Sequence, residues 1–352
     1  MISVLVADDS FLMRTLIGDI LNSDPDITVV GSVTDGEQVI EAAKRLQPDV
    51  ITMDLEMPKI DGLNATRRIM QDASPSPIVV MLSAFSEDKA HSMLECLHSG
   101  AFDCVQKPSG AISLDIDTVA TELIKKVKAA AKARTAVLKQ TKNPDQTHRS
   151  ARAKHQKKSM ESRSVIVIGA STGGPPVLEK ILSLLPSPLP CIVLIAQHIP
   201  EPFTSSFAER LDRISPMPVH KAVHDQTILP GTVLLARGDG DTRIRRDTEG
   251  KIRVTFTAGN TKGALYPSID VLMKSVAEVC GKDVIGIIMT GMGNDGSVGM
   301  KAIKEHGGRT IVQDPTTCVV DSMVQNVLNE NCADEILSLD AMAERLQKLT
   351  LH

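Results

Sequence analysis

The feature that most constrains this chain is a repeated unit. A short apolar, β-prone run ends on a polar or charged residue and gives way to a helical pattern. In the N-terminal part the runs lie at 2–6, 27–30, 50–53, 77–81 and 102–106, with helical spacing between them, as at 39–46 and 90–97. The C-terminal part repeats the scheme at 165–168, 191–197, 231–236, 283–289 and 310–313, with a further strand candidate at 252–257. Apolar runs without polar alternation belong to strands covered on both faces. Strands alternating with helices predict α/β sheets that are doubly wound and mainly parallel. Such sheets hold their chemistry beyond the carboxyl ends of the strands, where the strand order reverses.

A length of 352 residues suits two such domains. The pattern places one at 1–132 and the other at 164–352. Between them, 133–163 is polar and basic and carries Pro144, as a flexible tether would. The tether has no aromatic residue for stacking on bases, and the net charge is -4, so nucleic acid is not an expected partner. No apolar run approaches the roughly 18 residues that span a bilayer, and the chain begins directly in a strand-like run without signal-peptide character. Six cysteines without a C-x-x-C pair read as free thiols of a reducing compartment. The expectation is a cytoplasmic chain with no membrane insertion.

In the first domain, Asp8, Asp9, Asp54, Ser83 and Lys107 all fall where strands run out. Taken singly, each has a plain reading: Asp8 and Asp9 could cap a helix, and Asp54 could start a loop. Together they point to chemistry. Three carboxylates converging on one rim repel one another and call for a hard cation. Mg²⁺ suits oxygen ligands, keeps waters and accepts phosphate oxygens. One carboxylate could then accept a phosphoryl group, which Lys107 and the Ser83 hydroxyl would meet.

In the second domain, Ser171 sits in G-x-S-x-G at 169–173, between an apolar strand and a helix that carries Pro175 and Pro176 in its first turn. His198 stands just past the run at 191–197. Asp295 stands past the run at 283–289, in a glycine-rich loop. Three strand ends, each followed by a helix, send these side chains to one rim of one sheet. Ser171 needs a base, which His198 can supply, and Asp295 can hold the other ring nitrogen. The backbone N–H groups of Thr172 and Met292 are available to an oxyanion. His220, His224 and His306 compete as the base. His220 and His224 flank a strand-like KAV and stand roughly 13 Å apart, too far to share one ion. A phosphate-binding reading of the Ser171 loop lacks the acidic residue about 20 positions on.

ADDS at 7–10, TMDLEMPKIDGL at 52–63, LSA at 82–84 and QKP at 106–108 resemble a response-regulator receiver domain, a (βα)5 fold. The resemblance implies Asp54 as phosphoacceptor, Asp8 and Asp9 as acids binding Mg²⁺ with it, and Ser83 and Lys107 as the phosphate-sensing pair. Receivers usually carry Tyr or Phe three residues before that lysine, and here the position is Cys104. GASTGGP at 169–175, QHIPEPFTSSFAERLD at 197–212, YPSID at 266–270 and TGMGNDGSVGM at 290–300 are similar to the catalytic domain of chemotaxis protein-glutamate methylesterases, the CheB family. The resemblance implies Ser171 as nucleophile, His198 as base and Asp295 as orienting acid. It further implies γ-glutamyl methyl esters of methyl-accepting chemoreceptors as substrate, glutamine deamidation as a second activity, and a chemotaxis histidine kinase as phosphodonor. The esterase step itself needs no cofactor, and the receiver would restrain it by excluding receptor helices until Asp54 is phosphorylated. Two departures mark this chain: Asp241 stands where the family often has His, and Ser322-Met323-Val324 where it has Gly-Met-Pro.

Overall fold

The apolar runs become strands in both halves of the chain, wholly buried at Val50–Asp54, Val165–Ala170, Ile192–Gln197 and Val284–Ile288. The computed structural model describes residues 1–72, 76–84, 86–108, 116–140, 164–186, 189–259 and 265–350. The expected tether from 141 to 163 lies outside them. The chain divides into two units, Met1–Lys154 and His155–His352.

The first unit has strands β1 (Ile2–Ala7), β2 (Ile27–Val33), β3 (Val50–Asp54), β4 (Ile78–Ser83) and β5 (Asp103–Gln106). They form one parallel sheet in the order β2-β1-β3-β4-β5. The helices are α1 (Phe11–Asn22), α2 (Gly36–Leu46), α3 (Gly62–Asp72), α4 (Glu87–His98) and α5 (Ile116–Gln140). Ser10 is the N-cap of α1, with its hydroxyl accepting from the Met13 amide. Neither Asp8 nor Asp9 is therefore spent as that cap. The buried stripe of α1 is Ile17, Ile20 and Leu21, while Phe11 and Leu12 are exposed. α5 buries Val119, Leu123 and Val127 and continues as helix through 133–140, where the tether was expected to begin. Alanines from 129 to 131 favour continuation. Arg134 anchors it by its guanidinium, 2.5 Å from Asp49 and 3.3 Å from the Ser76 carbonyl.

The second unit has strands β6 (Val165–Ala170), β7 (Ile192–Gln197), β8 (Val219–Lys221), β9 (Val233–Leu235), β10 (Gly240–Arg246), β11 (Ile252–Ala258), β12 (Val284–Ile288), β13 (Arg309–Gln313) and β14 (Glu335–Leu337). Seven of them form a parallel sheet in the order β14-β13-β12-β6-β7-β9-β8. β11 does not join it: β11 pairs antiparallel with β10 in a separate ribbon. The helices are α6 (Gly174–Leu184), α7 (Glu201–Ile214), α8 (Ile269–Cys280), α9 (Ser297–Glu305), α10 (Ser322–Asn329) and α11 (Leu339–Thr350). Every residue of β6, β7 and β12 is buried. Phe203, Phe207 and Leu211 of α7 are buried as one stripe, each contributing about 2 kcal/mol by leaving water. β6 is first in sequence and lies between β7 and β12, so the strand order reverses at its carboxyl end. Among the described residues no helix is long and apolar enough to cross a membrane.

Candidate active site

Three neighbouring strands of the second sheet deliver one side chain each to that reversal point. Ser171 follows β6 directly, and its amide donates to the Thr290 carbonyl beyond β12 (3.1 Å). His198 follows β7, its amide bonded to the Ala170 carbonyl (3.1 Å). Asp295 arrives on the loop between β12 and α9. The His198 Nδ1 lies 3.1 Å from the Ser171 Oγ, and its Nε2 lies 2.8 Å from the Asp295 Oδ2. Both contacts require this ring orientation, because a half-turn of the ring would present carbon atoms to both partners. With the proton on Nε2, held by a carboxylate, Nδ1 keeps a lone pair aimed at the serine hydroxyl.

The carboxylate of Asp295 sits on the N-terminus of α8. Its Oδ2 accepts from the Ile269 amide (2.8 Å) and its Oδ1 from the Asp270 amide (2.9 Å). Burial alone would raise this carboxyl. The His198 hydrogen bond and charge and the two amides outweigh burial and hold it below its ordinary value. Asp295 thus caps α8, and not the helix that follows its own loop. That helix, α9, is served instead by Asp270, whose Oδ1 accepts from the amides of Gly296 (3.0 Å) and Gly299 (2.6 Å).

The surroundings hold the donors proposed for an oxyanion. Thr172 is buried, and its carbonyl accepts from the Thr290 hydroxyl (3.0 Å). Met292 is half-buried between two fixed neighbours. The Ser322 hydroxyl donates to the Gly291 carbonyl and accepts from the Gly293 amide, both at 3.1 Å. Ser322, one of the departures, therefore supports the Met292 segment. Gly291 packs so closely that an added Cβ would stand 2.1 Å from the Met323 Sδ and 2.8 Å from the Ser171 Cβ. Asp241, the other departure, accepts from the Ser268 amide just before α8 (3.4 Å).

Two supporting residues escaped the sequence reading. Gln197, 2 % exposed, donates its Nε2 to the carbonyls of Ser171 (2.9 Å) and His198 (3.0 Å), tying those two segments together. A polar residue closing a wholly apolar strand was the available signal. Asp270 lies inside YPSID, but nothing local says which helix its carboxylate serves. Of the competing histidines, the His224 Nδ1 is bonded to the Phe256 amide (3.0 Å) and the His306 Nδ1 to the Ala302 carbonyl (2.8 Å). His220 is exposed on β8.

In the first unit, Asp8, Asp9 and Asp54 bring carboxylate oxygens within 4.8 Å of one another. The Lys107 ammonium bridges two of them, 2.6 Å from the Asp8 Oδ2 and 2.7 Å from the Asp54 Oδ2. Burial raises the Asp54 carboxyl and the Asp8 charge adds to that, against the opposing pull of Lys107. For Lys107, burial works to lower the ammonium, but its bonds to Asp54 and Asp8 prevail and raise it. Gly62 rests against the end of β3, where an added Cβ would stand 2.0 Å from the Asp54 carbonyl oxygen. The Ser83 hydroxyl donates to the Ala84 carbonyl (3.1 Å), and its own carbonyl accepts from the Lys107 amide (2.9 Å). Cys104 is buried on β5, its thiol pushed up to about 12 by burial, and its carbonyl accepts from the Lys126 ammonium (2.6 Å). An oxygen-only pocket of three carboxylates fits a hard divalent cation.

The family model for the CheB methylesterase matches residues 166–346, and that for the response regulator receiver domain matches 4–116. The chain is 37% identical over 347 residues to protein-glutamate methylesterase/protein-glutamine glutaminase 1 of Syntrophomonas wolfei subsp. wolfei, covering 97% of each chain. It is 39% identical over 355 residues to the protein-glutamate methylesterase/protein-glutamine glutaminase of Symbiobacterium thermophilum, covering 99% of this chain and 96% of the relative. The crystal structure of the Thermotoga maritima CheB methylesterase catalytic domain matches 54% of this chain and all of its own, at 35% identity and a TM-score of 0.52.

Proposed function

Because the chain belongs to the CheB methylesterase family, with a receiver domain at its N-terminal end, we propose that it hydrolyses γ-glutamyl methyl esters on chemoreceptors by a Ser171-His198-Asp295 mechanism. The observation that carries the reading is the imidazole of His198, with one nitrogen on the Ser171 hydroxyl and the other on the Asp295 carboxylate. The Ser171 Oγ attacks the ester carbonyl carbon while its proton passes to the His198 Nδ1. The amides of Thr172 and Met292 receive the oxyanion, and Asp295 stabilises the imidazolium. Collapse breaks the bond to the methoxy group, which leaves as methanol with the proton from His198. Water then adds in the same way and releases the glutamate. The same steps on glutamine expel ammonia, in keeping with the double activity named for the relatives.

The receiver supports a second part of this reading. Asp54 is the phosphoacceptor, supplied by a chemotaxis histidine kinase, and its phosphorylation raises the esterase rate. Asp8, Asp9 and Asp54 would hold Mg²⁺, which would offset the charge on the phosphoryl oxygens. Lys107 already spans Asp8 and Asp54, and it would turn to the phosphoryl group once Asp54 is phosphorylated. Cys104 supplies no aromatic ring, so any relay through this unit runs through Ser83 and Lys107. The test is methanol release from methylated receptor membranes, with and without a small phosphodonor. Ser171→Ala is expected to abolish release. Release that survives Ser171→Ala would overturn the mechanism.

A further inference from the structure

Two helices meet behind the catalytic carboxylate and exchange their capping groups. α8 has Ser268 as N-cap, and its first two amides, Ile269 and Asp270, point at the carboxylate of Asp295. The N-cap of α9 is Gly296, which has no side chain to close the helix, and the amides of Gly296 and Gly299 point at the carboxylate of Asp270. Each helix start is therefore closed by an acid from the other segment, which suits the positive end of a helix. The two exchanges share residues. Asp270 donates its amide to the Asp295 Oδ1 at 2.9 Å and accepts, through its side chain, from the residue that follows Asp295.

The consequence is positional. Asp295 cannot rotate away from His198 without losing the bond to the Asp270 amide, and its backbone cannot move without straining the bonds to the Asp270 carboxylate. We propose that Asp270 is a positioning residue for hydrolysis: its carboxylate holds the start of α9 so that the Asp295 Oδ2 stays on the His198 Nε2. The arrangement is costly. Asp270 is half-buried, and burial followed by the Asp295 charge raises its carboxyl against the pull of the Gly296 and Gly299 amides. Gly296 cannot carry that cap itself, because its φ is +101° and an added Cβ would stand 2.3 Å from the Ile288 Cδ1, so the acid must reach α9 from another segment, and the one that does is tied to Asp295 through its own amide.

This inference rests on Asp295 acting as the orienting acid, so Asp295→Asn is measured alongside as the control for that reading. The full chain carrying Asp270→Ala or Asp270→Asn is assayed for kcat and KM of methanol release from methylated receptor membranes, below the melting temperature of each variant. Asp270→Ala is expected to lower kcat by about 10- to 100-fold with little change in KM, the scale of a small misplacement of a catalytic group. Asp270→Asn keeps an acceptor oxygen for the two amides and is expected to recover most of that loss. Two results overturn the inference while Asp295→Asn is inactive. One is an Asp270→Ala kcat within about twofold of the parent. The other is an Asp270→Asn variant as impaired as Asp270→Ala. If Asp295→Asn itself keeps full activity, the orienting role fails and the inference falls with it, whatever Asp270 does.

Discussion

Replacing Asp295 by Asn isolates the charge of the proposed triad while keeping its shape. Three good donors converge on that carboxylate: the Ile269 amide and the His198 Nε2 on Oδ2, and the Asp270 amide on Oδ1. An asparagine offers one oxygen for them. If its NH₂ takes the Oδ2 position, it faces the Ile269 amide and makes His198 accept at Nε2. The ring proton then moves to Nδ1, and the lone pair facing Ser171 is gone. If the NH₂ takes the Oδ1 position, the tautomer survives, but no charge faces the imidazolium. Opposite charges about 4 Å apart attract by about 4 kcal/mol at the effective dielectric of a partly buried site. The Asp295 side chain is 21% exposed, which suits that value. At 1.36 kcal/mol per tenfold, either orientation lowers kcat about 10³-fold. KM changes little, because the neutral ester gains nothing from the charge before attack. The assay is initial methanol release from methylated receptor membranes by the full chain in the presence of a phosphodonor. A kcat within about tenfold of the parent would mean that Asp295 serves α8 as a cap and does not take part in catalysis.

Gly291→Ala places a methyl group against the Met323 Sδ and the Ser171 Cβ, at 2.1 and 2.8 Å. One of them must move, so activity is expected to drop about 100-fold with a lowered melting temperature; unchanged activity would refute the close approach. Asp54→Asn should remove stimulation by a small acyl-phosphate donor while leaving basal methanol release in place. Chelation of divalent cations should do the same to the unsubstituted chain, and stimulation surviving either treatment counts against the receiver assignment. The Asp295 carboxyl is held below its ordinary value in the folded chain, so the unfolded chain takes up the proton first. Its contribution to stability is fully present above the ordinary carboxylate pKa and is lost as pH falls through the lower folded value. Denaturant melts of parent and Asp295→Asn should therefore differ by a constant amount near neutrality and converge in acid; divergence in acid would refute the direction of that shift.

The sequence made legible what depends on strand ends. β6, β7 and β12 are buried on both faces and read as unbroken apolar runs, so the residues just beyond them could be assigned to one rim. That reasoning brought Ser171, His198 and Asp295 together, and likewise Asp8, Asp54 and Lys107. It failed where a contact is made between segments whose local sequence is ordinary. β10 exposes Arg243, Arg245 and Arg246 and buries only Gly240, Thr242 and Ile244, so no apolar run announced it. β11 was visible as a strand, but its partner was not, and its place in a separate ribbon followed from β10. The carboxylates of Asp270 and Asp295 sit beside glycine-rich or helical stretches that either could cap. Only the packing of α8 against α9 decides that they cross over. The end of α5 was misplaced for a different reason: the apolar face fades near 132, while alanines and the Arg134 ion pair with Asp49 keep the helix going.

The length of the loop that carries Asp295 follows from the sheet order. Ser171 is on the middle strand of the three, His198 on one neighbour, and the chain leading to Asp295 leaves the other. Adjacent strands lie about 4.8 Å apart, so a carboxylate starting from β12 must cross nearly 10 Å of sheet edge to reach an imidazole rooted on β7. A side chain on the last residue of β12 could not span that distance. The loop from Met289 to Gly296 does so by passing over the Ser171 turn. It needs Gly291 where it touches Ser171, and it takes its far support from Ser322, Asn326 and Asp270. The receiver sheet needs no such arch, because its acids stand on the neighbours β1 and β3 and only the long Lys107 side chain has to reach in from β5. Both sheets therefore gather their polar side chains at the carboxyl ends of parallel strands. The difference lies in how far the last partner must travel and in what fixes it on arrival.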